Sequence, residues 1–114
     1  MKGLWPWLLQ RVTAAALVVA LFLHLWATHF SSPGAEIVFA GVTVRVRTLL
    51  YMVVDFSLLA LVLFHGLNGL RNVVLDFGVR RCGAAWLTVG LCAVGLVWLI
   101  LGVFGLLPFI AVRG

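Results

Sequence analysis

The chain has 114 residues, of which 65% are hydrophobic and 10% are charged. So little polar surface could not cover a core of that size in water, which excludes an ordinary soluble domain and indicates a protein of the lipid bilayer. The formal charge of +5 would suggest nucleic acid in a soluble protein, but here the charges flank apolar segments, and we expect no nucleic-acid partner.

The first predicted element is a membrane span of about residues 8–28, because about 20 mostly apolar residues cross a hydrocarbon core. Trp5-Pro6-Trp7 before it is typical of an interfacial anchor. We expect a span rather than a cleaved signal peptide, because the segment is long and contains Arg11 and His24. Arg11, about one turn inside the membrane end, either extends to the lipid headgroups or faces a ligand.

The second predicted span covers about residues 48–72, after a loop in which residues 37–47 alternate weakly, as in a short strand or an interfacial segment. Asp55 lies on roughly its third turn, where an unpaired carboxylate is costly. We expect this acid to pair with Arg45 or Arg47, or to be protonated, rather than to conduct protons.

Polar groups gather near the end of the second span. On a helix with about 100° per residue, Gly69, Asn72 and Asp76 fall within roughly 40° of His65. A histidine deep in an apolar helix, with a small residue one turn on, forms a face that receives a ligand rather than lipid. His65 either bonds to a neighbouring helix or binds a metal or haem iron, and Gly69 favours a flat, bulky ligand.

The third predicted span covers about residues 83–112 and carries no charged residue between Gly83 and Val112. The short turn at residues 79–83 makes the second and third spans antiparallel neighbours. Small residues at helical spacings allow a second helix to come close; they are Gly90, Ala93, Gly95, Gly102 and Gly105. We therefore expect the third span to pack and to face lipid, without chemistry of its own.

Basic residues are divided unequally between the two sides of a three-span topology. One side has Lys2, Arg11, Arg71, Arg80 and Arg81, and the other has Arg45, Arg47 and Arg113. Because basic residues concentrate in cytoplasmic loops, this distribution predicts a multi-pass protein of the cytoplasmic (inner) membrane with a cytoplasmic N-terminus.

No motif predicts catalysis by this chain alone. A Gly-rich phosphate loop, a Cys-x-x-Cys motif and a serine nucleophile elbow are all missing from the sequence. Its acids, Glu36, Asp55 and Asp76, are dispersed, so no acid pair is evident. Cys82 and Cys92 lack the spacing of metal ligands and are expected to be buried or reduced thiols.

Two motifs carry a resemblance to a known family. The pattern His65, Gly69, Arg71 and Asp76-Phe77-Gly78 is close to a second-helix pattern, and the run of residues 10–13, Gln-Arg-Val-Thr, is similar to a first-helix run. Both patterns belong to the small membrane-anchor subunits of succinate:quinone oxidoreductases, meaning succinate dehydrogenase and fumarate reductase. The resemblance implies an all-α protein in which residues 1–114 form a single membrane-anchor domain. Its three transmembrane helices would pack with a homologous or analogous anchor subunit into a bundle around haem b.

The resemblance also implies roles for particular residues. His65, with Gly69 beside it, would be an axial ligand of a b-type haem whose second ligand comes from the partner anchor subunit. Arg71 and Arg11 would pair with the haem propionates or line a quinone pocket. Phe77 stands where the family often has tyrosine, and it cannot donate a hydrogen bond to a quinone carbonyl. The quinone-pocket candidates are Arg11, Asn72, Asp76 and Phe77.

His24 raises the question of a second haem. In two-haem members of the family a histidine near the outer end of the first helix binds a distal haem, and His24 has that position; His29 is expected to be a solvated surface residue. One haem or two both fit the sequence. The implied partners are a second anchor subunit, an iron–sulfur subunit, a flavoprotein subunit and the lipid bilayer, with quinone as the substrate reduced beside the anchor.

Two other functions stay open from the sequence. One is a haem-free structural or assembly subunit in which the polar side chains bond only to neighbouring helices. The other is a b-type cytochrome anchor of a different respiratory oxidoreductase, although such anchors usually have more helices. An absorption spectrum of the assembled complex distinguishes a haem protein from a haem-free one.

Overall fold

The computed structural model describes residues 3–30, 40 and 49–111. It contains three long helices, α1 (Leu4–Leu25), α2 (Leu49–Asp76) and α3 (Arg81–Ala111), and α1 continues into a π-helical segment, Trp26–Phe30. All three are long and apolar enough to cross a membrane, which confirms the predicted all-α membrane fold. Several sequence predictions lie outside the described residues: the weakly alternating segment 37–47, Lys2 and Arg113, and a pairing of Asp55 with Arg45 or Arg47.

The helices extend beyond the spans predicted from hydropathy. At 1.5 Å per residue, the 28 residues of α2 measure about 42 Å, whereas a hydrocarbon core is about 30 Å thick. The polar end of α2 therefore reaches the headgroup region. Gly78, with φ of 81°, ends this helix in the left-handed conformation that a glycine adopts without strain.

The central helix is α2, which packs against both α1 and α3. The two interfaces differ in chemistry. Against α3, methyl groups added at Gly95 and Gly102 would come within 2.7 Å of Leu67 and Leu59, so these glycines let α2 and α3 approach closely. Nothing lies within 4 Å of such a methyl at Gly90 or Gly105. Gly95 and Gly102 are therefore packing glycines, whereas Gly90 and Gly105 are exposed.

Very little of the chain is buried. Among the described residues, only Thr13, Ala20, Ala27 and Val54 are buried, and all four lie on α1, its π-helical extension or α2. Most of the apolar surface therefore faces outward, as expected for helices that contact lipid or another membrane subunit.

Candidate functional site

His65 lies at the interface between α1 and α2, in contact with Thr13. Thr13 Oγ1 donates to the carbonyl of Leu9 at 2.7 Å and lies 3.0 Å from His65 Nδ1. A hydroxyl has only one proton, so an Oγ1 that already donates to Leu9 accepts from the ring N–H at Nδ1. This arrangement selects the tautomer in which His65 Nε2 is unprotonated and carries a lone pair.

The Nε2 atom of His65 faces the side-chain amide of Gln10. The two nitrogens are 3.4 Å apart, beyond the usual range of an N–H donor to its acceptor, whereas the same amide nitrogen donates to the His65 carbonyl at 3.2 Å. The imidazole lone pair is therefore only weakly engaged. A neutral imidazole of this kind is available as a ligand to a metal ion.

Gln10 is held above Gly69 by a second polar side chain. Asn68 Nδ2 donates to Gln10 Oε1 at 2.7 Å and to the carbonyl of Pro6 at 3.2 Å. A methyl group added at Gly69 would lie 2.9 Å from Gln10 Nε2. The room that the sequence assigns to a flat ligand at Gly69 is thus occupied in this chain by the Gln10 amide.

The remainder of the predicted face continues to the end of α2. Asn72 is half-buried, Asp76 is exposed and Phe77 is 85% exposed. These three side chains lie beyond His65 by 7 to 12 residues, or about 10 to 18 Å along the helix axis. Their exposure leaves them open to contact with a substrate or another subunit at the membrane surface.

The two arginines of the sequence prediction lie apart from His65. The exposed Arg11 stacks its guanidinium over the ring of Trp7, 5.0 Å from the ring centroid. This cation–π contact suits an arginine that extends toward the headgroups. Arg71 points toward α3, where its Nε donates to Thr88 Oγ1 at 2.8 Å. The structure therefore does not bring either guanidinium to the imidazole.

His24 forms a second polar contact between α1 and α2, near the other end of the bundle. Its Nδ1 lies 2.8 Å from Asp55 Oδ1, and the two side chains are 34% and 19% exposed. Asp55 precedes His65 by ten residues on α2, which corresponds to about 15 Å along the axis. The two histidines thus occupy separate levels of the same helix pair.

Sequence reasoning missed three residues of this site: the side chains of Gln10, Thr13 and Asn68. Gln10 and Thr13 belong to the run that carried the family resemblance, yet only Arg11 in that run was assigned a role. Their spacing of three residues places them on one face of α1, which was the signal that could have found them. The pairing of His24 with Asp55 was not predicted either. The two residues lie at matching depths in their spans, and this match could have suggested the pairing.

The donor set suits haem rather than a bare metal ion. Within residues 3–30, 40 and 49–111, no three His, Cys, Asp or Glu side chains come together as metal ligands. A haem iron needs only one axial side chain on each face, and histidine is a common one. His65, with its Nδ1–H bonded and its Nε2 weakly engaged, fits such a ligand if a second protein chain covers the other haem face.

Comparisons with known proteins agree on one kind of relative. Residues 1–97 match the family described as succinate dehydrogenase/fumarate reductase transmembrane subunit. The chain is 29% identical to the succinate dehydrogenase 2 membrane subunit of Mycobacterium tuberculosis over 87% of its own length and 71% of the relative. Identity is 31% to the succinate dehydrogenase hydrophobic membrane anchor subunit of Halobacterium salinarum, over 68% of this chain and 59% of that one. The anchor subunit of Archaeoglobus fulgidus is 34% identical over 68% of each chain. No solved structure matches.

Proposed function

Because this chain belongs to the succinate dehydrogenase/fumarate reductase transmembrane subunits and is a membrane anchor of that enzyme, we propose that it binds a b-type haem through His65. It also contributes to the site where quinone is reduced. In this role it tethers the catalytic subunits to the bilayer. The chain would share the haem with a second membrane-anchor subunit, which supplies the other axial ligand.

The observation that carries the haem proposal is the contact between Thr13 and the imidazole of His65. Thr13 accepts the Nδ1–H at 3.0 Å, so Nε2 keeps its lone pair for iron, the usual arrangement around ligating histidines. Gln10 lies on the ligand side of the ring. When bound, haem supplies a one-electron carrier beside the quinone.

The quinone proposal concerns the end of α2. Electrons from succinate would reach this end through an iron–sulfur subunit, which receives them from a flavoprotein subunit. Asn72, Asp76 and Phe77 form the part of the pocket on this chain, with Arg11 at the same end of the bundle. Since phenylalanine offers no hydrogen bond, Phe77 contributes an apolar wall, and the donor to the quinone carbonyl comes from Arg11, Asn72 or another subunit.

A specific contact favours a second haem at His24. The Asp55 carboxylate accepts the Nδ1–H of this ring at 2.8 Å, which leaves Nε2 as a ligand; a carboxylate behind a ligating histidine is a recurrent arrangement. His24 and His65, which lie about 15 Å apart along the bundle axis, would then hold the distal and the proximal haem. The protein would lie in the cytoplasmic membrane with its N-terminus in the cytoplasm, as its basic residues predict.

The test is an absorption spectrum of the purified complex containing this chain. We expect the reduced complex to show the α-band of b-type haem. His65→Ala should remove the signal of the proximal haem, and His24→Ala should remove one of two haem signals. His29→Ala, an exposed histidine in the π-helical segment, is the matched control and should keep the wild-type spectrum.

Two outcomes would contradict the proposal. An intact complex without any haem band would favour the haem-free anchor, in which Thr13, Gln10 and Asn68 serve only to bind α1 to α2. If His65→Ala kept the full haem complement, the ligand assignment would be wrong.

A further inference from the structure

A groove opens on the face of α2 opposite His65. It has a volume of about 640 Å³ and lies between the start of α1, the middle of α2 and the first half of α3. Most of its wall is apolar; Leu63, Leu67, Leu91 and Leu99 are representative. On a helix with about 100° per residue, Leu67 lies roughly 160° from His65, and Asn68, which holds Gln10 beside His65, lies at the edge that the groove shares with that site.

One end of the groove carries a cation. Arg71 is half-buried there, and its Nε donates to Thr88 Oγ1 at 2.8 Å. In the part of the chain that the structure describes, the one ion pair joins His24 and Asp55, so no carboxylate in that part neutralises the guanidinium. A cation beside an apolar wall is costly unless an anion meets it.

A second cation lies on the same side of α3. Arg81 precedes Thr88 by seven residues, which is two helical turns, so it shares a face with Thr88 about 10 Å nearer the end of the helix. Arg81 and the neighbouring Arg80 are exposed. The groove therefore has a basic end at the α2–α3 turn and an apolar end toward the centre of the membrane.

The length of the groove matches one lipid leaflet. From Thr88 to Leu99 it follows eleven residues of α3, or about 16 Å, which is close to half of a hydrocarbon core about 30 Å thick. The groove therefore has the depth of one lipid leaflet.

We propose that this groove binds an anionic phospholipid of the leaflet that meets the α2–α3 turn. Its phosphate lies against Arg71 and Thr88, with Arg81 adding positive potential, and an acyl chain follows the apolar wall. Basic pockets between transmembrane helices are suited to such headgroups. A quinone could fill the apolar part, but its neutral ring would leave the charge of Arg71 uncompensated.

The experiment compares lipids bound to the purified complex in nanodiscs of phosphatidylglycerol or phosphatidylcholine. After transfer to mild detergent, native mass spectrometry counts the lipids that remain. We expect the wild type to retain phosphatidylglycerol at least fivefold more than phosphatidylcholine. Arg71→Gln should lose this preference, while Arg80→Gln, which removes the same charge outside the groove, should keep it. Arg71→Lys should retain part of it.

A second variant tests the groove without changing its charge. Cys92 lines the apolar wall and is exposed, so Cys92→Phe should fill the space and lower retained phosphatidylglycerol by a similar factor. The haem band and subunit content of each variant show whether the complex is assembled and report on the haem proposal separately. Equal retention of the two lipids, an unchanged preference in Arg71→Gln or in Cys92→Phe, or displacement of the lipid by added quinone would overturn the proposal.

Discussion

The hydroxyl of Thr13 shows how one small side chain can prepare a ligand. It gives its proton to the Leu9 carbonyl within α1 and receives one from His65 on α2, so the orientation of the imidazole is fixed by the backbone of another helix. The sequence identified His65 by its isolation in an apolar span, but the histidine alone does not specify its tautomer. That information lies in Thr13, which looks like an ordinary helix residue until the two helices are packed.

Replacement of Thr13 by valine tests this role. Thr13→Val keeps the shape but removes the acceptor for the His65 Nδ1–H, and loss of such a partner typically weakens metal binding by about 10- to 100-fold. We expect a lower ratio of haem to protein in the purified complex and a shifted haem midpoint potential. Thr13→Ser restores the hydroxyl and should return both quantities toward wild type. A valine variant with wild-type haem content and potential would show that the contact has no such role.

Asp55 allows an analogous test at the other end of the bundle. Asp55→Asn retains an oxygen that can accept the His24 Nδ1–H, whereas Asp55→Ala leaves the ring without its partner. We expect the second haem signal to be lost in the alanine variant and largely kept in the asparagine variant, measured by low-temperature spectra and redox titration. Wild-type spectra in both variants would argue against a haem at His24.

At the scale of whole helices, α2 has two different interfaces. Toward α1 it presents polar groups, Asp55, His65 and Asn68, which are matched by polar groups of α1. Toward α3 it presents leucines that meet Gly95 and Gly102. Periodicity in the sequence predicted the polar face and the packing glycines as separate features, but not which neighbour each one meets. That assignment depends on tertiary packing.

Gly69 offers a sharp test of the polar interface. Gly69→Ala would place a methyl group 2.9 Å from Gln10 Nε2, and Gln10 is already held by Asn68 and by the His65 carbonyl. Overpacking of this kind costs about 1–3 kcal/mol, so we expect a lower Tm for the complex, followed by haem absorbance on heating.

The control for Gly69 lies three residues away on the same helix. A methyl group at Gly66 would meet nothing within 4 Å, and alanine is the better helix former, so Gly66→Ala should leave the Tm unchanged or raise it. Combining Gly69→Ala with Gln10→Ala should recover part of the loss. Equal Tm values for the two single variants would show that Gln10 does not fill this space.

At the scale of the whole molecule, the most informative feature is how few of the described residues are buried. Composition was enough to predict three spans and a membrane environment, and the resemblance of residues 10–13 and 65–78 was enough to identify the family, as the match over residues 1–97 confirms. The proposed haem and quinone sites could be predicted only in part, because a cofactor shared between two chains would take half of its contacts from a sequence that is not this one. Arg71 illustrates the limit: its position in a motif suggested the haem side, but the fold turns it toward α3.

The predicted orientation can be tested with the two cysteines. Cys82 is exposed one residue into α3, and Cys92 lies ten residues further along it, or about 15 Å deeper. If the N-terminus is cytoplasmic, a membrane-impermeant maleimide should label Cys82 in inverted vesicles but not in spheroplasts, and Cys82→Ser should abolish that labelling. Cys92 should react only after denaturation. Labelling of Cys82 in spheroplasts would reverse the assigned topology.

The central position of α2 has a consequence for biosynthesis. A ribosome delivers α1 and α2 before α3, and proteins assemble from their N-terminal parts during synthesis. The contacts of His65 with Thr13 and of His24 with Asp55 join α1 to α2, so they can form as soon as the first helical hairpin has entered the bilayer. Only the groove at Arg71 must wait for the last helix, so the polar interface around the two histidines and the groove form in succession.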